Sequence, residues 1–228
     1  MSDRVRLKIA VAEYPHTSAI RNGSIPIEGV DAEIVTVQPQ IGAFRRMVRQ
    51  VEFDVCELAP TTYIIARAFG APFVALPIFV LRRFHHAGLL VRPDAGIKTP
   101  KDLEGRMVGV RAYSVTTGVW TRGILIDEFG LDSSKVTWVV DDEEHVTQMK
   151  LPSNVIHAAE GRSLADMMAS GELPRGSMAM RVWAGPVHRL AAGRPWKRII
   201  PIFSRTPRNW KQIGSSGRGF IPCTGRLW

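Results

Sequence analysis

Cysteine is scarce in this chain of 228 residues, where only Cys56 and Cys223 occur. Two cysteines provide neither a disulfide framework nor a cysteine-based metal cluster. No uncharged apolar run approaches the roughly 20 residues that a membrane-spanning helix requires. The N-terminal residues also lack an apolar segment followed by a small-residue cleavage site. The sequence therefore predicts a cytoplasmic protein with no membrane partner, in which Cys56 is a buried, reduced thiol.

Acidic residues are absent after Glu172. Residues 174–228 carry nine arginines and two lysines, which leaves residues 1–173 with a net charge of −2. These arginines stand among proline, glycine and serine without a helical or alternating period, a composition that buries little apolar surface. One interpretation is a basic arm for nucleic acid or anionic lipid. We favour a shifted reading frame, because the regular pattern stops within an element at residues 171–173, and we expect no nucleic-acid partner.

Short apolar runs alternate with helical patterns through residues 1–173, which is typical of βα units around a largely parallel sheet. Strands are predicted at residues 7–12, 32–37, 53–58, 73–79, 88–91 and 136–140. Helices are predicted at residues 41–49, 119–128 and 164–170, and another is expected to begin at a capping Thr61 or Thr62. Residues 99–110 combine a capped short helix, a glycine turn and a further strand. No strand is predicted after Leu173.

The run Asp102-Leu103-Glu104-Gly105-Arg106-Met107-Val108-Gly109-Val110 resembles the crossover segment of type 2 periplasmic-binding-protein-like domains. That fold has two α/β lobes that face each other across a ligand-binding cleft. Narrower signals lie at residues 12–17, at residues 77–79 with 82–86, and at Tyr113 with residues 120–123. Together these residues resemble the 4,5-dihydroxyphthalate decarboxylases of bacterial phthalate breakdown, over residues 1–173.

The resemblance implies an α/β fold of the two-lobed, type 2 periplasmic-binding-protein-like kind. Residues 1–86 are expected to form the first lobe and residues 87–173 the second. Members of the family continue beyond the point that corresponds to Leu173, through the rest of the second lobe. We therefore expect the fold to be incomplete at its C-terminus and residues 174–228 to be a non-native segment.

The resemblance also implies a reaction, the conversion of 4,5-dihydroxyphthalate to 3,4-dihydroxybenzoate and CO2. Each carboxylate of this small aromatic dicarboxylate is para to a hydroxyl, whose ionisation moves electron density onto the carbon that loses CO2. The ring is then its own electron sink, so no organic cofactor is expected. A divalent metal bound by the two adjacent hydroxyls is compatible with this chemistry, but the sequence indicates no metal ligands.

The principal alternative to an enzyme is a solute-binding protein for a small aromatic carboxylate, because the fold alone does not distinguish the two. The missing signal peptide favours the enzyme, since a transport receptor must be exported or tethered. The sequence leaves the oligomeric state open and is compatible with a homo-oligomer.

The expected chemistry needs a general base for the phenol and a general acid for the ring carbon. His16 follows the first strand, where open α/β sheets bind ligands, and an imidazole transfers protons near neutral pH. The alternative is a loop histidine that packs locally. His85 and His86 are further candidates for the acid, and they follow Arg82 and Arg83 at the expected lobe junction. The two arginines are candidate ligands of a substrate carboxylate, with a solvated position as the alternative. Because neighbours on an extended chain face opposite ways, at most one of each pair is expected to face the cleft.

The carboxylate that remains on the ring needs a cation or a helix N-terminus. Residues 111–118 join a strand to a helix, so Ser114, Thr116 and Thr117 are candidate substrate ligands, with helix capping as the alternative. Arg122, one turn further, either reaches the same anion or pairs with Glu128 or solvent. Glu57 ends the third strand and either contacts a substrate hydroxyl or caps the next helix.

Two further features are expected to be structural. The acidic run at residues 141–144 is predicted to be a solvated strand end. His145 and His157 have no metal-type spacing to other ligands and are expected at ordinary polar positions. The sequence therefore predicts no metal site.

Overall fold

The computed structural model describes residues 4–82, 85, 89–91, 95–170 and 178–180. These residues divide into two compact units. The first contains the described parts of Met1–Val80 and Glu144–Met149, and the second contains those of Leu81–Glu143 and Lys150–Trp228. Both units are mixed α/β, and most strand pairs in their sheets are parallel.

The first unit has a parallel sheet of three strands with three helices. Its elements in chain order are β1 (Val5–Ala10), α1 (Ser18–Arg21), β2 (Val30–Ile34), α2 (Ile41–Gln50), β3 (Val55–Cys56) and α3 (Pro60–Ala68). The strand order is β2-β1-β3, so β1 is central. The core cluster consists of Ala10, Ala43, Met47 and Phe53. Because the three strands are parallel, their carboxyl ends lie along one edge of the sheet. The end of β1 is in the middle of this edge, with the end of β3 beside it.

Helix α2 confirms the helix predicted at residues 41–49. Its apolar side buries Ala43 and Met47, as the 3.6-residue period requires. On the polar side, Arg46 forms a salt bridge with Glu52. The helix ends at Val51, which has the left-handed backbone angles φ 51° and ψ 44°.

Two predictions about the strands and helices of the first unit are wrong. Residues 73–79 form no strand, because Pro77 cannot donate to a ladder and Pro72 precedes the run. Helix α3 begins at Pro60, after the N-cap residue Ala59, and not at a capping threonine. Proline is suited to the first helical position because its fixed φ is already helical. Thr62 is instead a core residue, 1% exposed.

The second unit is built on a five-stranded sheet. Its elements are β4 (Leu89–Val91), β5 (Met107–Val110), α4 (Thr116–Phe129), β6 (Thr137–Val140), β7 (Val155–His157), α5 (Leu164–Ser170) and β8 (Met178–Met180). The strand order is β4-β8-β5-β6-β7, with β4 antiparallel to β8 and the other pairs parallel. The largest core cluster includes Val108, Val110 and Trp138.

The prediction for residues 99–110 is confirmed. Thr99 and Asp102 form a capping box at a 3₁₀ helix over Pro100–Leu103. The Asp102 carboxylate accepts from the N–H groups of Lys98 and Thr99, both at 2.8 Å. These bonds hold the pKa of Asp102 below its usual value. Gly105 then adopts φ 76° and leads into β5.

Strand β8 contradicts the prediction that no strand follows Leu173. Met178 pairs with Val108 of β5, and Met180 pairs with Leu89 of β4. Ladder pairing uses backbone groups, so three residues of ordinary composition are enough to fill a gap between two strands. The rest of the predicted non-native segment, residues 174–177 and 181–228, lies outside the described residues.

Candidate functional site

Glu57 directly follows β3, which is paired with β1, so it lies close to the residues that follow β1. The Glu57 N–H donates to the carbonyl oxygen of Ala10 at 2.9 Å, which continues the parallel pairing by one residue. The half-buried Glu57 side chain turns back to the same strand, where its Oε2 accepts from the Ala12 N–H at 3.1 Å. The carboxylate is therefore fixed at the sheet edge that open α/β folds use for ligands.

The second oxygen of Glu57 binds a tyrosine. The Tyr14 hydroxyl donates to Glu57 Oε1 at 2.8 Å. Glu57 therefore joins the backbone after β1 to an aromatic side chain two residues further on. The sequence alternatives for Glu57 were a substrate hydroxyl or a helix cap, and neither anticipates this bond.

His16 lies in a tight turn that starts at Tyr14. The Thr17 N–H donates to the Tyr14 carbonyl at 3.0 Å, so Pro15 and His16 occupy the two central positions. Proline favours the first of these because its φ is preset. Thr17 Oγ1 donates to the Ala12 carbonyl at 2.8 Å and accepts from the Tyr14 N–H at 2.9 Å. The side-chain hydrogen bonds of the buried Thr17 thus stabilise the turn.

The His16 imidazole is stacked on the Tyr14 ring. The ring centroids are 5.3 Å apart and the planes differ by 6°. His16 is exposed, whereas Tyr14 is half-buried. A titratable ring is therefore accessible to solvent at the carboxyl end of β1, against an aromatic face that Glu57 holds in place.

In the second unit, the residues predicted to bind an anion surround the start of α4. The N-cap residue is Val115, whose side chain cannot accept a hydrogen bond. Ser114 and Thr117 are each 5% exposed, and Thr116 is half-buried. A Cβ at Gly118 would lie 2.9 Å from Val110 Cγ2, so glycine allows this end of the helix to approach β5.

Arg122 is buried one turn into α4, with 7% exposure. Its Nη2 donates to the Tyr113 carbonyl at 2.7 Å. The guanidinium carbon lies 3.7 Å from the Tyr113 ring centroid and 5.2 Å from that of Trp138. Stacking on aromatic faces is a favourable environment for a weakly hydrated guanidinium. The sequence alternatives for Arg122 did not include this arrangement.

The four residues predicted at the lobe junction are described only in part. The His85 ring is stacked on Trp120, with centroids 6.5 Å apart and planes 7° apart. The His85 carbonyl accepts from Thr121 Oγ1 at 3.4 Å. Arg82 is exposed. Arg83 and His86 lie outside the described residues, so their predicted roles stay predictions.

The acidic run is more ordered than predicted. Asp142 Oδ2 forms a salt bridge of 3.2 Å with Arg111. Asp141 Oδ2 accepts from the Leu164 N–H at 2.8 Å, where a negative charge meets the positive end of α5. Within the described parts of the chain, no three histidine, cysteine or acidic residues are grouped so that they could hold a metal ion. Asp141 thus links the end of β6 to the start of α5, and Asp142 links it to Arg111.

Sequence reasoning gave no role in the site to Tyr14, Tyr113 or Trp138, although residues 12–17 and Tyr113 are among the signals of the family resemblance. The order Tyr-Pro-His-Thr at residues 14–17 contains a usable signal, because proline at the second position of a turn brings the flanking side chains together. No comparable local signal links Trp138 to Arg122, since β6 and α4 meet only through tertiary packing. None of the helices described here is long and apolar enough to span a membrane.

Comparison with known proteins gives one family and two relatives. The NMT1/THI5-like family model matches residues 20–167. The chain is 35% identical over 178 residues to a 4,5-dihydroxyphthalate decarboxylase of Comamonas testosteroni, covering 75% of this chain and 54% of that protein. It is 36% identical over 179 residues to a 4,5-dihydroxyphthalate decarboxylase of Pseudomonas putida, covering 75% of this chain and 69% of that protein. The chain thus spans about half the length of the first relative.

Proposed function

The chain belongs to the NMT1/THI5-like family and to the family of the 4,5-dihydroxyphthalate decarboxylases, and from this premise we propose that it is a carboxy-lyase. The observation that carries the proposal is the 35–36% identity to two proteins of this activity over three quarters of the chain. The proposed substrate is 4,5-dihydroxyphthalate, and the products are 3,4-dihydroxybenzoate and CO2. The proposed fold is the two-lobed type 2 periplasmic-binding-protein-like fold, which the division into two α/β units supports.

The reaction begins at the hydroxyl para to the carboxylate that leaves. Removal of the phenolic proton by a general base allows an electron pair of the ring to take a proton at the carbon that bears this carboxylate. The carbon–carbon bond then breaks, its electron pair restores the aromatic ring, and CO2 leaves. The phenolate finally regains a proton, so the net reaction consumes one proton for each carboxylate lost. No organic cofactor is required, because the ring accepts the electrons.

We assign the proton transfer to His16. It is an exposed imidazole at the carboxyl end of β1, and imidazole is the side chain best suited to transfer protons near neutral pH. His85 and His86 are the alternative acids.

We assign the carboxylate that stays on the ring to the start of α4, with Ser114, Thr116 and Thr117. Backbone N–H groups and hydroxyls at a helix N-terminus favour an anion, and the buried charge of Arg122 adds to the positive potential of this region. Arg82 and Arg83 are the alternative cations. Both carboxylate oxygens of Glu57 are hydrogen-bonded within the protein, to the Ala12 N–H and to the Tyr14 hydroxyl.

The reaction is tested by incubating the full chain with 4,5-dihydroxyphthalate and measuring CO2 and 3,4-dihydroxybenzoate. Phthalate is the control, because it keeps both carboxylates but lacks the activating hydroxyls. We expect phthalate to bind without reacting. Binding of both compounds with CO2 from neither would contradict the proposal and support a solute-binding protein.

The acid is tested with His16→Gln, which keeps a polar side chain but cannot transfer a proton near neutral pH. We expect kcat to fall by roughly 10²–10⁴ while substrate binding is retained. An unchanged kcat would remove His16 from the mechanism and make His85 the next residue to test.

A further inference from the structure

Tyr14 is in contact with two titratable side chains at the carboxyl end of β1, Glu57 and His16. Its hydroxyl donates to Glu57 Oε1 at 2.8 Å, and its ring lies flat against the His16 imidazole. The two contacts use different parts of the side chain. Tyr14 therefore contacts Glu57 through its hydroxyl and His16 through its ring, and so connects the two residues.

Glu57, at one end of this connection, is fixed to the backbone. Glu57 Oε2 accepts from the Ala12 N–H at 3.1 Å, so both carboxylate oxygens are bound to groups that follow β1. The position of the Tyr14 hydroxyl is consequently set by the sheet. A phenol held at its hydroxyl and at its Cα keeps the direction of its long axis, so the bond to Glu57 fixes the place at which the ring meets the imidazole.

The turn over residues 14–17 places the His16 imidazole against the Tyr14 ring. Tyr14 and His16 are the first and third residues of the turn, and Thr17 closes it with bonds to Tyr14 and Ala12. The parallel planes, 6° apart, keep their contact only while the imidazole keeps its orientation. An exposed histidine would otherwise sample several rotamers, so the stack gives the ring nitrogens a defined direction.

We propose that Tyr14 is a positioning residue, which orients His16 for proton transfer, and that Glu57 acts on His16 through Tyr14 and does not contact the substrate. The inference rests on the proposed function for the proton transfer, but the orientation of His16 can be measured without any reaction. Since a displacement of about 1 Å in a reacting group can lower a rate about 10²-fold, orientation alone is enough to affect turnover.

The orientation is tested by NMR of the histidine ring protons, with the His16 signals identified by their loss in His16→Gln. A proton close to an aromatic face has a shifted resonance, so we expect Tyr14→Leu to move the His16 signals towards the values of an exposed histidine. Tyr14→Phe keeps the ring but loses the bond to Glu57, and we expect a smaller change in the same direction. Glu57→Leu, which removes the acceptor, is expected to match Tyr14→Phe.

The matched control is Tyr63, a tyrosine of the same unit whose ring centroid lies 6.2 Å from that of Phe73. Tyr63→Leu and Tyr63→Phe are expected to leave the His16 signals unchanged. Identical His16 signals in the wild type, Tyr14→Phe and Tyr14→Leu would overturn the proposal. If Tyr14→Leu fails to fold, Tyr14→Phe and Glu57→Leu decide the question.

Kinetics then separates positioning from substrate binding. We expect Tyr14→Leu to lower kcat about 10- to 100-fold with little change in KM, and Glu57→Leu to resemble Tyr14→Phe in both constants. A large rise in KM for Glu57→Leu alone would show that Glu57 contacts the substrate and would overturn its assigned role. If the wild type releases no CO2 while the NMR shifts occur as expected, the proposed function fails and the orientation of His16 by Tyr14 stands.

Discussion

Thr62 Oγ1 lies 2.7 Å from His145 Nδ1, although 83 positions separate the two residues in the sequence. Both residues are buried, with 1% and 3% exposure. Arg49 donates to the carbonyl oxygens of Glu144 and His145 at 2.8 and 3.1 Å. The Phe44 ring meets the imidazole edge to face, with centroids 6.1 Å apart. His145 is therefore a core residue of the first unit, and its expected place at an ordinary polar position is wrong.

Thr62→Val tests this pair. Valine keeps the shape of threonine but removes a hydrogen bond from a buried imidazole, so we expect the free energy of unfolding to fall by about 1–3 kcal/mol. The exposed Thr147, on the same segment as His145, supplies the control Thr147→Val, which should change stability by less than about 0.5 kcal/mol. Urea denaturation measures both. Equal effects of the two substitutions would show that the Thr62 hydroxyl makes no net contribution.

Two glycines of α4 are expected to respond in opposite directions to the same substitution. A Cβ at Gly118 would lie 2.9 Å from Cγ2 of Val110, a buried and β-branched side chain with little freedom to move, whereas a Cβ at Gly123 meets nothing within 4 Å. Gly123→Ala should therefore stabilise the protein by about 0.5–1 kcal/mol. Gly118→Ala should destabilise it by about 1–3 kcal/mol. Thermal unfolding distinguishes the signs, and stabilisation by both would mean that α4 is not close to β5.

Val51 holds a left-handed conformation that is unfavourable for a β-branched residue, with φ 51°. The conformation costs about 1–2 kcal/mol for a non-glycine residue. Val51→Gly removes that cost but increases the entropy of the unfolded chain, so we expect a net gain in stability of up to about 1 kcal/mol. Val74→Gly, at an exposed position without positive φ, should lower stability. Chemical denaturation of both variants measures the difference, and destabilisation by Val51→Gly would contradict the assigned backbone strain.

The start of α4 is tested by binding. Thr116→Val and Thr117→Val each remove a hydroxyl expected to bind the substrate carboxylate. The loss of one hydrogen bond to a charged group, about 1.5–3 kcal/mol, corresponds to roughly ten- to hundredfold weaker binding. Calorimetric titration with phthalate reports the affinity independently of turnover. Affinities equal to that of Thr147→Val would move the carboxylate site away from α4.

Cys56 is expected to resist thiol reagents in the folded protein. Burial, followed by the neighbouring Glu57 carboxylate, raises the pKa of its thiol to about 12 from the ordinary 9.0. At pH 9 the folded thiol therefore contains far less thiolate than an unfolded one. Peptide mapping after labelling with iodoacetamide should show modification of Cys56 in the unfolded protein and very little in the folded protein. Equal labelling in both states would contradict the raised pKa.

The same shift determines how stability depends on alkaline pH. Because the folded thiol keeps its proton above the pH at which the unfolded thiol loses it, the unfolded state binds fewer protons and stability falls as pH rises. The fall should begin near pH 9 and continue towards pH 12. Denaturation at a series of pH values tests this window, and Cys56→Ala should reduce the dependence.

The elements that sequence predicts well are those that local interactions determine. The capping box of Thr99 and Asp102 lies within four residues, and the apolar face of α2 repeats within ten. The place of His16 after the first strand was predicted for the same reason. A strand followed by Tyr-Pro-His-Thr places the histidine in a turn at a sheet edge, and the turn is local.

The features that sequence did not predict depend on distant partners. The bond from Tyr14 to Glu57 spans 43 positions and that from Arg49 to the His145 carbonyl spans 96. Neither pair has a periodic signal, because each is a single contact between residues far apart in the sequence. The strand predicted at residues 73–79 is wrong because the prediction used only the local pattern. An apolar run satisfies the local pattern of a strand, yet a strand needs a neighbour that can accept its hydrogen bonds.

Strand β8 has a consequence for the order in which the second unit is assembled. Among the described strands, β4 is hydrogen-bonded in this sheet only to β8, which is the last of them to be synthesised. During translation, β4 therefore cannot form its ladder until nearly all of the described residues have been synthesised. Until β8 is in place, the edge of β5 that pairs with it is also uncovered. Non-local pairing of this kind is slow, and an uncovered strand edge is a template for association with other chains. The yield of folded protein should thus depend on the rate of synthesis and on the chaperones available while residues 89–177 emerge from the ribosome.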